Sequence, residues 1–238
     1  DAALPERLAD VLRVVYLIFN EGYASSTHAS RVRADLCDEA LRLVELLERL
    51  LPAEPEVAGL HALMLFHNAR RTTRVGESGD PVLLEEQDRS QWDARQIMRG
   101  LTLLDRASRH CSIGTYQVQA AIAAEHARAE TWEATNWFRI RQLFDTLLTL
   151  EPSPVAALSR CVAIAYTDGE AEALRTLDQL DADELQEYAP YHVARADFLR
   201  RLGRAEESRA SYERAIELSQ SEPERRFLRK KLDGVSQA

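Results

Sequence analysis

The densest group of polar side chains lies in the first half of the sequence. Residues 85–92 read EEQDRSQW, and Arg70, Arg71 and Arg74 come shortly before them. Adjacent carboxylates can work as a general acid and a general base. A glutamine, an aspartate and an arginine side by side can instead form a polar patch that binds a partner segment through paired hydrogen bonds. The residue types therefore allow either an acid–base centre or a docking surface.

A structural interpretation of the same segment is also open. Asp88 or Ser90 can cap the exposed amides at the start of a helix, and the acidic residues before them favour the positive end of the helix dipole. Leu84 and Trp92 flank the segment with apolar anchors, so we expect it to be ordered and turned toward the protein's own body or a groove. The candidate interaction residues are Glu85, Glu86, Gln87, Asp88, Arg89, Trp92, Arg70, Arg71 and Arg74.

Other patterns that carry chemistry are missing from the sequence. His61 and His67 are six residues apart, which places them on different faces of a helix and gives no shared ligand face. The three cysteines form no CxxC pair, and all of them, Cys37, Cys111 and Cys161, are expected to be small buried hydrophobic residues. No nucleotide-binding glycine loop and no nucleophile elbow are present. We predict no catalytic residue, no metal ligand and no cofactor.

Composition narrows the class of protein. The formal net charge of −9 opposes contact with phosphate backbones, so no direct binding of nucleic acid is expected. The longest apolar runs fall far short of the roughly 20 residues that span a bilayer, so no membrane contact is expected. The amino terminus lacks the pattern of a signal peptide, which favours a cytoplasmic protein.

The spacing of apolar residues predicts about eleven helices, which must position the polar segment. In the first helix, an apolar face at intervals of three and four includes Leu8, Val11, Leu12, Val15 and Phe19, and residues 20–22 supply a stop. Residues 72–84, rich in glycine and proline, predict a loop or a short hairpin. The helix after it is expected to begin at about Gln91.

Tetratricopeptide repeats are helix pairs with a period of about 34 residues and small residues where the paired helices cross. Ala196, Gly203, Ser208, Tyr212 and Ala215 fit that pattern well. The pattern is degenerate toward the amino terminus. We therefore predict an all-α solenoid of tetratricopeptide-like helical hairpins, in which residues 1–112 form a degenerate half with the polar segment and residues 113–238 form the repeats and a final helix.

Five stretches together resemble a known family. They are VYLIFNEGY (15–23), LCDEALRL (36–43), GLHALMLFHNARR (59–71), LLEEQDRSQWD (83–93) and TYQVQAAIAAEHA (115–127). In this order they are similar to the tetratricopeptide-like carboxy-terminal extension of a group of extracytoplasmic-function sigma factors. The resemblance runs over nearly the whole chain, and the family's acidic-glutamine-aspartate-arginine signature falls on Glu86, Gln87, Asp88 and Arg89.

The resemblance implies a role within a larger protein. That protein is expected to bind core RNA polymerase and to direct promoter-specific initiation, with the DNA-reading domains before this extension, which would begin at Asp1. The implied partners are those domains of the same polypeptide, core RNA polymerase through the parent protein, and a signalling protein. The chain departs from the family pattern at Asn68, where the family commonly has Asp, and at Ser159, where an Asn-Arg pair is usual.

Three classes of function follow. The first is a regulatory protein-interaction domain of a sigma factor, the second is a free-standing tetratricopeptide-type adaptor that binds peptides, and the third is a helical enzyme. A gene that encodes sigma regions upstream of Asp1 would separate the first from the second.

Overall fold

The computed structural model describes residues 4–24, 31–110, 112–180 and 185–235. Within these residues the chain forms eleven α-helices. They are α1 (Leu4–Ala24), α2 (Arg31–Leu50), α3 (Pro55–Ala69), α4 (Ala94–Ser108), α5 (Thr115–Arg128), α6 (Trp137–Leu150), α7 (Pro154–Thr167), α8 (Glu170–Leu177), α9 (Ala189–Arg201), α10 (Ala205–Leu218) and α11 (Glu222–Val235). The predicted all-α fold is confirmed, and the described residues show a single isolated bridge, between Val75 and Pro81.

The ends of two helices differ from the prediction. Helix α1 continues through the expected stop to Ala24, because Tyr23 stacks on Phe19 at 5.5 Å and so holds the last turn. Helix α4 begins at Ala94 instead of Gln91, and its cap is Asp93, whose side chain accepts from the backbone amides of the first turn. The short-hairpin alternative for residues 72–84 is confirmed by the bridge between Val75 and Pro81.

The chain divides into two compact units, residues 1–135 and residues 136–238. The first contains α1 to α5 and the second α6 to α11. The sequence analysis places its division earlier, after residue 112, and so assigns α5 to the second part. In the structure α5 belongs to the first unit because it packs closely along α3.

Helix α3 is the centre of the first unit. Eleven of its fifteen residues are buried, as expected for a helix that is apolar on every face. On one side it shares a core with α1 and α2 that includes Phe19, Val44 and Met64. On the other side Leu63 and Phe66 pack with residues of α4 and α5. Helix α3 is therefore enclosed by the other four helices of its unit.

The second unit consists of consecutive helix pairs. Gly203 adopts a φ of 74° and ends α9 in a Schellman motif, in which the amide of Arg204 donates to the carbonyl of Leu199 at 2.9 Å. Ala196, Tyr212 and Ala215 are buried at the crossing of α9 and α10. Ser208 takes a small-residue position there, and its hydroxyl donates to the carbonyl of Ala196 at 2.8 Å. The second unit thus has the close helix crossings that the repeat pattern predicts.

Two of the cysteines lie in helices and are fully buried, as predicted: Cys37 in α2 and Cys161 in α7. Cys111 lies outside the described residues. None of the described helices is both long and apolar enough to cross a membrane.

Candidate interaction site

The polar segment belongs to a compact connection between α3 and α4, residues 70–93, which we call the clasp. Its ends meet, because the amide of Asp93 donates to the carbonyl of Ala69 at 2.9 Å. Inside the clasp a short hairpin turns at Gly79, which has a φ of 78°. Two single 3₁₀ turns follow, Leu84–Glu86 and Arg89–Gln91. The clasp is thus a folded loop with hydrogen bonds of its own.

Three buried polar side chains form the centre of the clasp. Thr73, Gln87 and Trp92 are each at most 9% exposed. The indole nitrogen of Trp92 donates to the Thr73 hydroxyl at 3.1 Å, and Gln87 Nε2 donates to the carbonyl of Val82 at 3.2 Å. The Thr73 hydroxyl in turn lies 3.0 Å from the carbonyl of Arg70 and 3.2 Å from Gln87 Oε1. This network joins the two halves of the clasp.

Arg89 fastens the clasp to the end of α5. Its Nη1 donates to the carbonyls of His126 and Ala129, the latter at 2.8 Å. The guanidinium also lies over the Trp92 ring, 4.8 Å from its centroid. Carbonyls at the end of a helix lack partners and carry partial negative charge, so a cation there is favourable.

Arg71 and Arg74 turn to other helices. Arg71 forms an ion pair with Asp38 of α2 at 3.1 Å. Arg74 donates to the carbonyl of Tyr23 at 2.7 Å, and its guanidinium stacks 3.5 Å above the Tyr23 ring. Because these arginines are held by α2 and α1, they bind the clasp to the first helix pair.

The acidic residues of the segment face outward. Glu85 and Glu86 are exposed. Asp88 accepts from the amide and the hydroxyl of Ser90 at 3.0 and 2.6 Å and from Gln91 Nε2 at 2.8 Å. The hydrogen bonds from Ser90, together with that from Gln91, lower the pKa of Asp88. Asp88 therefore caps the turn Arg89–Gln91, whereas the sequence analysis expected it or Ser90 to cap the long helix.

Two histidines lie beside the clasp arginines, and the sequence analysis did not place them there. Arg70 Nη2 lies 3.4 Å from His67 Nδ1, and the ring of Trp132 stacks on that of His126 at 6.0 Å. Burial, followed by the charges of Arg70 and Arg74, lowers the pKa of His67 to about 3. Burial, followed by the charges of Arg70 and Arg89, lowers the pKa of His126 to about 4. Both imidazoles are therefore neutral at pH 7.

A second polar group lies on the far side of α3. His61 is buried, and its Nδ1 lies 2.7 Å from Oε2 of Glu48. The other carboxylate oxygen of Glu48, Oε1, accepts from Arg106 at 2.8 Å. Burial lowers the pKa of His61. A groove of about 350 Å³ opens beside it between α2, α3 and α4, where Asn68 Nδ2 donates to Gln96 Oε1 at 2.8 Å. These pairs link α2 to α4 across α3.

The part of the chain that the structure describes contains no group of three or more histidine, cysteine, aspartate or glutamate side chains that is arranged to hold a metal ion. The arginines of the clasp instead donate hydrogen bonds to the Asp38 carboxylate of α2 and to main-chain carbonyls at the ends of α1 and α5.

One family model matches the part of the chain that contains this site. Residues 7–108, which contain the whole clasp, match a family of unknown function, DUF6596. An uncharacterized protein of Rhizobium meliloti (strain 1021) is 46% identical over 231 residues. That match covers 97% of this chain and 54% of the relative, so the chain spans about half the length of the relative. No solved structure matches the chain.

Replacing Gln87 with alanine is expected to destabilise the first unit by about 2 kcal/mol, because Thr73 and the carbonyl of Val82 each lose a buried partner. Urea unfolding followed by circular dichroism measures the change. Gln91→Ala is the control, since the Gln91 side chain is exposed and, among the described residues, bonds only to Asp88; we expect a change within about 0.5 kcal/mol. Equal losses in the two variants would contradict a role for the buried network.

Proposed function

We propose that the chain is a regulatory protein-interaction domain of a bacterial sigma factor, which modulates promoter-specific transcription initiation by its parent protein. The observation that carries the proposal is an apolar surface on α1. Val14 and Leu17 are 55% and 59% exposed, and Val11, which the sequence analysis placed on one apolar face with Leu12 and Val15, is 43% exposed. We call these three residues the α1 stripe.

Helix α1 is apolar on two sides. Leu12, Val15 and Phe19 are at most 5% exposed and fill the core with α2 and α3. The α1 stripe lies on the other side, at spacings of three residues. A cluster of exposed apolar side chains marks an interaction surface more often than a solvated one.

The proposed occupant of the α1 stripe is the DNA-reading part of the same polypeptide. The chain spans 54% of its relative, which leaves length for further domains. The resemblance to sigma-factor extensions implies that the DNA-reading domains precede α1. The parent protein as a whole would bind core RNA polymerase. A signalling protein is the third proposed partner.

Charge supports a protein partner over nucleic acid. The net charge of −9 repels a phosphate backbone. In this proposal the chain is cytoplasmic and non-catalytic, and it takes no cofactor. Sequence-specific contacts with promoter DNA are made by the parent protein's other domains.

A free-standing tetratricopeptide-type adaptor is the alternative. It is favoured by the second unit, where the Gly203 turn and the small buried residues at the crossing of α9 and α10 follow the repeat pattern. Such repeats bind extended or helical peptides. An adaptor of this type would work without any sigma region in its own polypeptide.

The test replaces two residues of the α1 stripe in the full-length protein, as Val14→Ser with Leu17→Ser. Both side chains are largely exposed, so the fold should persist while a docked partner loses about 1 kcal/mol at each position. We expect promoter-driven transcription to change about tenfold or more. Removal of the whole domain should change transcription in the same direction.

The matched control is Phe138→Ser, an apolar residue of α6 that is 62% exposed. Transcription by this control should equal that of the parent protein. Unchanged transcription in both the Val14→Ser, Leu17→Ser variant and the truncated protein would refute the regulatory role. A variant that fails only in binding short peptides would favour the adaptor.

A further inference from the structure

A concentration of positive charge lies where α3 and α5 end. Arg70 follows the last residue of α3, and Arg89 reaches the carbonyls at the end of α5. His67 and His126 belong to the last turns of the same two helices. We call these four residues the basic corner.

The positive charge of the basic corner is not balanced by acids. Among the described residues no carboxylate lies within ion-pair distance of Arg70 or Arg89. Glu133 is near enough to influence Arg89 but is exposed to solvent. The two helix ends contribute about half a negative charge each, against two full positive charges. An excess of about one positive charge therefore remains.

One donor in the basic corner is enclosed and unused. Arg89 Nη1 makes both bonds to the end of α5, whereas Arg89 Nη2 is buried and has no acceptor among the described residues. A buried charged donor without an acceptor is costly, and native structures rarely leave one so. A negatively charged hydrogen-bond acceptor beside Arg89 Nη2 would remove this cost.

The surroundings of the two imidazoles also favour a negatively charged ligand. Because Arg70 Nη2 points at His67 Nδ1, that nitrogen is the acceptor and the ring's proton sits on Nε2. A neutral imidazole still offers one N–H donor. Burial, followed by the charges of the neighbouring arginines, keeps both rings neutral. An anion placed between the arginines would remove part of that repulsion.

We propose that the basic corner binds a phosphate group, held between Arg70 and Arg89 Nη2. A phosphate presents several acceptor oxygens and more than one negative charge, which suits two guanidinium groups better than a single carboxylate does. The phosphate can belong to the free ion or to a small phosphorylated metabolite. A bound phosphate would tie the ends of α3 and α5 to the clasp, independently of what the α1 stripe binds.

The test follows the thermal midpoint of the 238-residue chain as inorganic phosphate is added at constant ionic strength. A specific site predicts a midpoint that rises in proportion to the logarithm of phosphate concentration above its Kd, while matched chloride has no such effect. Glycerol 3-phosphate in place of phosphate separates the sources. A lower Kd for the ester indicates a phosphorylated metabolite, and equal or weaker binding indicates the free ion.

Two variants and a control assign the site. Arg70→Gln should weaken phosphate binding at least tenfold, and Arg70→Lys should recover part of it because a lysine keeps the charge but loses the paired donors. Arg109→Gln removes an exposed arginine of the first unit and should bind like the parent chain. A phosphate response that Arg70→Gln leaves intact, or that chloride reproduces, would overturn the proposal.

A second readout does not depend on stability. Bound phosphate should raise the pKa of His67 and His126, which proton NMR of the imidazole rings detects directly. An unchanged titration of both rings at saturating phosphate would show that the anion does not enter the basic corner.

Discussion

Replacing Gly59 with valine is expected to destabilise the first unit by about 3 kcal/mol. Gly59 lies in α3 where α5 comes closest, and a Cβ there would lie 2.7 Å from the amide nitrogen and 3.0 Å from the Cα of Gln117. These are backbone atoms, which cannot turn aside as a flexible side chain can. Relief therefore requires α5 to move away from α3.

The same movement would disturb the start of α5. The Glu56 carboxylate accepts from the amides of Tyr116 and Gln117 at 3.1 and 3.0 Å and so caps that helix. Because the bonds come from α3, they lengthen as the helices separate. Loss of a cap costs about 1 kcal/mol more.

Gly234→Val is the matched control. Gly234 is also a helical glycine, in α11, but a Cβ there would meet nothing within 4 Å. Valine has a slightly better helix propensity than glycine. We therefore expect the free energy of unfolding to stay the same or to rise by at most a few tenths of a kcal/mol. Chemical denaturation of both variants measures the difference. Similar stability in the two would show that α3 and α5 have room to separate.

The second large effect is a loss of stability in mild acid. His67 and His126 have folded-state pKa values of about 3 and about 4, below the value of about 6.5 in an unfolded chain. Between about pH 6.5 and pH 4, the unfolded state therefore binds protons at these histidines that the folded state does not bind. The stabilising contribution is present above pH 6.5 and is lost as the pH falls.

The slope is about 1.4 kcal/mol per pH unit for each histidine. Between pH 6.5 and 4.5 the two together lower the free energy of unfolding by up to about 4 kcal/mol. His61, whose pKa is lowered by burial, adds in the same direction. Aspartates with lowered pKa values, such as Asp93, lose their contribution only below about pH 4, so histidines dominate this window.

Urea unfolding at a series of pH values tests this expectation. His126→Gln and His67→Gln should each remove part of the slope between pH 6.5 and 4.5, whatever they do to stability at pH 7. His110→Gln changes an exposed histidine and should leave the slope as it is. A flat dependence in the parent chain would mean that both rings accept protons without unfolding.

The helices could be predicted from the sequence because local spacing encodes them. The all-round apolar run of α3 likewise shows that this helix is buried. The start of α4 was misplaced because Asp88, Ser90 and Asp93 all satisfy the preference for a capping residue. Only the folded backbone shows that Asp88 caps a single turn and Asp93 the long helix.

The candidate site could be predicted only in part. The sequence singled out Arg89, but its partners are main-chain carbonyls of α5, and a carbonyl belongs to every residue type. Thr73 joins Gln87 to Trp92 from within a run of turn-forming residues, where nothing distinguishes it. The nearness of His126 to Arg70 depends on how α5 packs along α3, a long-range contact without a local signature.

The enclosure of α3 has a consequence for how each unit unfolds. In a linear stack of repeats each helix pair contacts only its neighbours, so pairs can melt one after another from an end. Helix α3 contacts α1, α2, α4 and α5, and none of these can leave without opening its core. We therefore expect the first unit to unfold as a single cooperative block, whereas the second has the sequential contacts that permit gradual fraying.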